Sequence, residues 1–138
     1  MGDVEKYLVD AVGADSENVM AVWIADLDAS VITQSDGYTS PDGWDIIGRA
    51  WYSCIETGKT VLTEPYIDSS TGEIILSAAT PVYDEGGNVL GAAGMDISLD
   101  HVTEVLSTYT IGSNGYVWLV SSDGMLIYHP NAELVQQN

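Results

Sequence analysis

The chain is 138 residues long and 46% apolar, with eight tyrosines and four tryptophans, enough for one folded domain, or one domain and a piece of another, and too apolar for disorder. Twenty-one acids against three basic residues give a formal charge of −18; a nucleic-acid duplex or an anionic lipid surface repels such a chain, so neither is an expected partner. Cys54 is the only cysteine, which excludes an internal disulfide and reads as a small core hydrophobe.

No apolar run approaches the roughly 18 to 20 residues of a membrane span. The opening Met1-Gly2-Asp3 and the ending Glu133 to Asn138 carry no targeting motif, and the expectation is a soluble piece excised from a longer protein. Val4, Tyr7, Leu8, Ala11 and Val12 recur at helical spacing and predict a short helix over Asp3 to Val12, ended by Gly13. Val19 to Leu27 and Val31 to Gln34 are β-rich and predict a hairpin at a sheet edge.

Ser35 to Asp45 is polar and rich in Gly and Pro, a loop. Its Asp36, Asp42 and Asp45 invite a metal, and the acidic spacing from Asp26 begins like a calcium loop. Val31 stands where the turn glycine belongs and no glutamate closes the motif. A solvated acidic loop is the reading taken, with no metal and no cofactor. Asp45 and Gly58 then bracket a predicted helix, 45–57. Ile47, Trp51, Cys54 and Ile55 share its apolar face, and Arg49 and Tyr52 lie off it.

Arg49 is the only arginine. A rigid charged fork among aromatic side chains suits the capture of a small carboxylate, and among so many acids it equally suits an ion pair. Position alone leaves both open.

Thr60 to Ile67, Glu73 to Tyr83 and Asn88 to Ile97 predict an antiparallel meander joined by turns at Asp68–Gly72 and Asp84–Asn88. The second and third strands are rich in Ala, Gly and Ser, leaving space above the sheet for a ligand or a packed helix. Ser98 to Asp100 supply caps for a helix reaching Tyr109. After Thr110–Gly115 a hairpin of Tyr116–Val120 and Met125–His129 turns around Ser121–Gly124. The fold class is therefore α+β: an antiparallel five-stranded sheet flanked by helices, plus an extra C-terminal hairpin.

Three phrases carry a family resemblance: GRAWY at Gly48–Tyr52, TEPYIDSSTGEIILSAATPVYDEGGNVLGAAGMDISLD at Thr63–Asp100, and IGSNGYVWLVSSDGMLIYHPNAEL at Ile111–Leu134. In this order and spacing the chain resembles the double Cache domain, the PAS-like extracytoplasmic sensor of bacterial and archaeal chemoreceptors and sensor histidine kinases. The resemblance implies a membrane-distal ligand-binding module over residues 1–110 and the truncated start of a second, membrane-proximal module over 111–138. It also implies a membrane-spanning parent protein, with this piece lying outside the cytoplasm.

A subset of these sensors binds free amino acids. The resemblance carries its motif onto Arg49, Trp51, Tyr52, Tyr66, Asp68 and Asp96, with Trp44 where the family has a tyrosine. An indole donates one hydrogen bond but has no hydroxyl. Arg49, with Tyr52 or Trp44, would take a carboxylate, and Asp96, with Asp68 or a backbone carbonyl, an ammonium group. The expected function is thus ligand sensing of an amino acid or related amine in chemotaxis or two-component signalling, with a sensor of small organic carboxylates as the alternative.

A hydrolytic enzyme is the remote alternative: the sequence has no nucleophile elbow, zinc motif or phosphate loop. His101 and His129 have no partner at metal-ligand spacing. The exposed edges of the last hairpin allow a homodimer.

Overall fold

The computed structural model describes residues 3–13, 16–17, 19–41, 43–122 and 124–135, with side chains from Lys6 onward. Asp42 of the acidic loop and Asp123 of the last turn lie outside these residues, as does the side chain of Val4. The chain divides into two compact units, Met1–Ser98 and Leu99–Asn138.

The first unit is built on one antiparallel sheet. Its strands are β1 (Ala21–Asp26), β2 (Val31–Gln34), β3 (Val61–Leu62), β4 (Tyr66–Ile67), β5 (Ile74–Tyr83) and β6 (Val89–Ser98), in the order β2-β1-β6-β5-β3 with β4 also on β5. The predicted edge hairpin and meander are both present. The five expected positions are kept, but the strand expected from Thr60 to Ile67 is broken into β3 and β4.

The break follows from residue type. Pro65 has no N–H to give the ladder, which confines it to edges and irregularities. Leu62 faces Ala78 whereas Tyr66 faces Ile75, so the outer strand carries one extra residue there. Thr63 bridges the interruption: its N–H donates to the Ser77 carbonyl at 2.9 Å, and its hydroxyl accepts from the Ser77 N–H at 3.0 Å.

Alternation along the strands sorts the two faces. Trp23 lies opposite Gly94, and Ala21, Asp96 and Ser77 form one cross-strand row. This inner face carries the core of Trp23, Ala25, Ile32, Ile46, Trp51, Cys54, Ala79 and Ala92. It is covered by a 3-10 turn, Ala50–Tyr52, leading into α2 (Ser53–Thr57). The single helix expected over 45–57 is thus far shorter. Asp45 caps only a local turn, accepting from the Gly48 N–H at 3.0 Å, and Arg49 is extended (φ −83°, ψ 141°). Without helical phase before Ala50, Ile46 is buried and Ile47 is 67% exposed. Gly58 ends α2 in the left-handed conformation, φ 66°.

The opposite face receives α1 (Asp3–Gly13), whose Leu8 is buried while Tyr7, expected on the inner side, is 74% exposed. Beside α1 runs an apolar groove floored by Val22, Ile24, Ala78, Ala93 and Met95. The small residues of β5 and β6 do leave space, and it lies on this face.

The second unit contains α3 (Leu99–Ser107), two small hairpins and a short helix, α4 (Ala132–Val135). β7 (Thr110–Ile111) pairs with β8 (Gly115–Tyr116), and β9 (Leu119–Val120) with β10 (Leu126–Tyr128). The strand expected over Tyr116–Val120 is split between the two hairpins. Tyr116 meets His129 edge-on, ring centroids 4.9 Å apart.

Gly94 is held open by its neighbour rather than by its own dihedrals. A Cβ there would fall 2.3 Å from the Trp23 ring, and Trp23 is locked in the core. Gly94→Ala is therefore expected to destabilise by about 1–3 kcal/mol through overpacking, read as a lowered urea midpoint at unchanged slope.

Candidate functional site

The inner face of the sheet holds a polar corner built from four strands, β1, β4, β5 and β6. Asp96 on β6 is 4% exposed. The Trp23 indole N–H donates to its Oδ1 at 2.9 Å, and the Ser77 hydroxyl donates to the same oxygen. Ser77, fully buried on β5, also meets the Tyr66 hydroxyl at 2.6 Å. Among the described residues the only buried side-chain nitrogen or oxygen without a hydrogen bond is Arg49 Nε. Asp96 Oδ2, which accepts none of these bonds, therefore opens on the pocket.

Burial dominates the chemistry of this corner. It raises the Asp96 carboxyl from 3.8 to about 6, against the Ser77 and Trp23 hydrogen bonds that favour the charged form; the Asp68 and Asp36 charges raise it further. Burial likewise lifts the Tyr66 phenol to about 12, with the nearby Asp96 and Asp68 charges adding to it. Asp68 goes the other way. Desolvation pushes it up, but hydrogen bonds from Ser70 and Thr71 together outweigh burial and hold it below its ordinary value. The Ser70 hydroxyl and both the N–H and the hydroxyl of Thr71 converge on Oδ2 of Asp68.

Arg49 enters from the extended residue just before the 3-10 turn. Its guanidinium lies 4.2 Å from the centre of the Trp44 ring, a cation–π distance. No carboxylate among the described residues lies within ion-pair distance of it, and its buried Nε has no partner. Trp44 stacks at 6.5 Å on Trp51, and Trp51 packs at 4.7 Å on Trp23. A run of three indoles thus joins the guanidinium to the carboxylate.

These groups line one small pocket with Ile32, Gln34 and Ser69. Six of the seven residues singled out from the sequence are in it: Trp44, Arg49, Trp51, Tyr66, Asp68 and Asp96. Tyr52 is not; it is half-buried and packs beside Trp51, ring centroids 6.4 Å apart. Trp23, Gln34 and Ser77 were not anticipated. Their signal was a polar or hydrogen-bonding residue in phase with buried neighbours: Gln34 with Ile32, and Ser77 with Ile75 and Ala79. The pocket has a volume of about 10 Å³, room for about one water. The far larger groove beside α1 is lined by apolar residues apart from Tyr7, Trp23, Thr60 and Thr80 and has no charged side chain in its lining, so the site's chemistry belongs to the small pocket.

The sequence profile of the Cache domain family (dCache_1) matches residues 5–138. The methyl-accepting chemotaxis protein PscA of Pseudomonas syringae pv. tomato is 37% identical over 99 residues, which are 71% of this chain and 16% of that receptor. Among solved structures, the ligand-binding domain of the Pseudomonas fluorescens chemoreceptor CtaA in complex with L-serine is 33% identical. It superposes with a TM-score of 0.77 over 98% of this chain and 57% of that one. The ligand-binding domain of the Pseudomonas aeruginosa amino acid chemoreceptor PctC in complex with GABA is 31% identical, with a TM-score of 0.72 over 91% of this chain and 56% of that one. The chain spans a small fraction of the full-length receptor and a little over half of each solved domain.

Asp96 makes stability depend on pH with a definite sign. Its folded-state value lies above 3.8, so folding favours the protonated form. The favourable contribution is complete below about pH 4 and is lost as pH rises through about 6, a cost of about 3 kcal/mol at neutral pH. Asp96→Asn, which keeps the acceptor for Trp23 and Ser77, is expected to be more stable than the parent at pH 8 and close to it at pH 4. Paired urea titrations at the two pH values check this; an advantage independent of pH would contradict it.

Proposed function

The chain belongs to the Cache domain family, and on that premise we propose that it is the ligand-binding module of a chemotaxis receptor, taking a free amino acid or related small amine beside Arg49. The single observation that carries this reading is the pairing of opposite chemistries in one pocket. Arg49 is stacked on Trp44 without an ion-pair partner among the described residues, while Asp96 has one carboxylate oxygen bonded internally and the other open. A zwitterion satisfies both ends at once. The structural neighbours' amino-acid and GABA complexes support the same ligand class.

Each charge-assisted hydrogen bond to such a ligand contributes about 1.5–3 kcal/mol, and three or four suffice for micromolar binding after association costs. The pocket's volume is that of about one water, so a ligand enters only as its walls move outward. The walls able to do so are the irregular segment 43–49 and the turn from Asp68 to Gly72, since Asp96 and Trp23 are fixed in paired strands. Ligand entry therefore moves the arginine side away from a rigid carboxylate side.

Further parts of the reading rest on the family. The receptor as a whole spans a membrane and holds this module outside the cytoplasm; among the described residues no helix is long and apolar enough to cross one. Residues 1–110 act as the distal sensor and 111–138 open a proximal module. A homodimer places two sensors side by side.

A thermal-shift screen of amino acids, amines and organic acids tests the proposal, because a ligand for the native state raises its melting temperature. Amino acids or amines are expected to give the hits. Arg49→Ala should abolish amino-acid binding, and Asp96→Asn should weaken ligands bearing an ammonium group at least tenfold at pH 7.5. Hits confined to ammonium-free carboxylates, insensitive to Asp96→Asn, would replace the amino-acid reading with the carboxylate one.

A further inference from the structure

Ser77 has a single hydroxyl proton and two partners, and elementary hydrogen-bond accounting orders them. The Trp23 indole can only donate, so Asp96 Oδ1 is its acceptor. An ionised carboxylate can only accept, so the Ser77 proton goes to that same oxygen. Ser77 Oγ then has no proton left for Tyr66. The 2.6 Å contact between the two hydroxyls is made by the Tyr66 proton, donated to Ser77. The phenol proton is consumed inward, and the Tyr66 oxygen can offer a ligand only lone pairs.

We propose that Ser77 is a positioning residue that polarises this corner of the pocket: the ordered chain Tyr66 to Ser77 to Asp96 makes Tyr66 Oη and Asp96 Oδ2 acceptors together and commits the corner to an ammonium group. The proposal deepens the amino-acid reading above and takes its ligand class from it. Tyr66 accordingly belongs with the ammonium end, and Arg49 is left as the anchor for carboxylate. A compound with a carboxylate alone finds no donor at the Tyr66–Asp96 end.

Ser77 needs no contact with ligand for this. It is fully buried, lies behind Tyr66 and Asp96, and is pinned by both backbone groups to Thr63. The charged and titratable groups around Asp96 are few. Tyr66 faces it from β4 through Ser77, Asp68 from the turn after β4, and Asp36 from the turn after β2; Arg49 lines the same pocket. The partners it touches on β1 and β5, Trp23 and Ser77, do not titrate.

The test needs no ligand. The protein is labelled with 15N at tryptophan, its four indole N–H signals are assigned by single Trp→Phe variants, and the Trp23 signal is followed from pH 4 to 8. This N–H donates to Asp96 Oδ1 and reports its ionisation directly. In Ser77→Ala the charged form loses a hydrogen bond, and the midpoint is expected to rise by about one pH unit. In Tyr66→Phe the Ser77 proton stays on Asp96, and the midpoint is expected to move much less. An unchanged midpoint in Ser77→Ala, or an equal rise in both variants, overturns the ordered chain.

A second measurement compares L-alanine with propionate, which differ by the ammonium group, by calorimetry on the parent and Ser77→Ala. Loss of L-alanine affinity by about tenfold with propionate unaffected supports the proposal; equal weakening of both shows that Ser77 only supports the fold. Failure of every amino acid to bind the parent would remove the proposed function, while the indole signal would still judge the chain of donors.

Discussion

A carboxylate fixed in the floor of a sheet is the constraint from which the first unit is arranged. Asp96 is nearly out of water, and the energy of a charge in such a place is tolerable only with donors in contact. Two are supplied to one oxygen, from strands on either side of β6: Trp23 on β1 and Ser77 on β5. Trp23 reaches it because Gly94 has no side chain to obstruct the ring. Ser77 sits where the outer strand is interrupted and Thr63 holds its backbone. Bulge, glycine and indole are parts of one solution, and the elevated Asp96 value shows that it does not fully offset burial.

The second charge is handled oppositely. In a chain of net charge −18, an arginine would be expected to find a carboxylate, yet Arg49 rests on the Trp44 face with its Nε unpartnered. A guanidinium sheds its hydration more readily than an ammonium and stacks well, so an aromatic surface can hold it without neutralising it. The tryptophan in place of a tyrosine thus acts on Arg49 itself. One end of the pocket is rigid and hydrogen-bonded, the other is stacked and carried on irregular chain.

How much of this was legible in the sequence depended on whether a signal was local. β2 appears with its expected ends, Val31 and Gln34, because the run is short, β-rich and flanked by turns. Pro65 was visible too, but its effect on the long first meander strand needed the partner strand to show which residue would be displaced. The helix expected from Asp45 failed because Asp45 closes a tight turn onto Gly48 and the chain then extends through Arg49. Six residues of the pocket came from positions matched to the family's motif. Gln34, which lines the pocket, and Ser77, which holds its Tyr66 and Asp96, did not, because alternation shows which residues share a face without showing which face is inside, and that is decided by pairings between distant strands. Tyr52, adjacent to Trp51 in sequence, was carried along by the phrase, and the turn of the backbone directs it away.

The three packed indoles have a consequence outside binding energetics. Trp44 lies against a cation and Trp23 is hydrogen-bonded to a carboxylate, with Trp51 between them. Their excited states are close enough to couple and sit in an electric field set by the two charges a zwitterion would address. A ligand that compensated either charge would alter that field, and with it the emission wavelength and near-ultraviolet dichroism of these indoles. The fourth tryptophan, Trp118, belongs to the second unit.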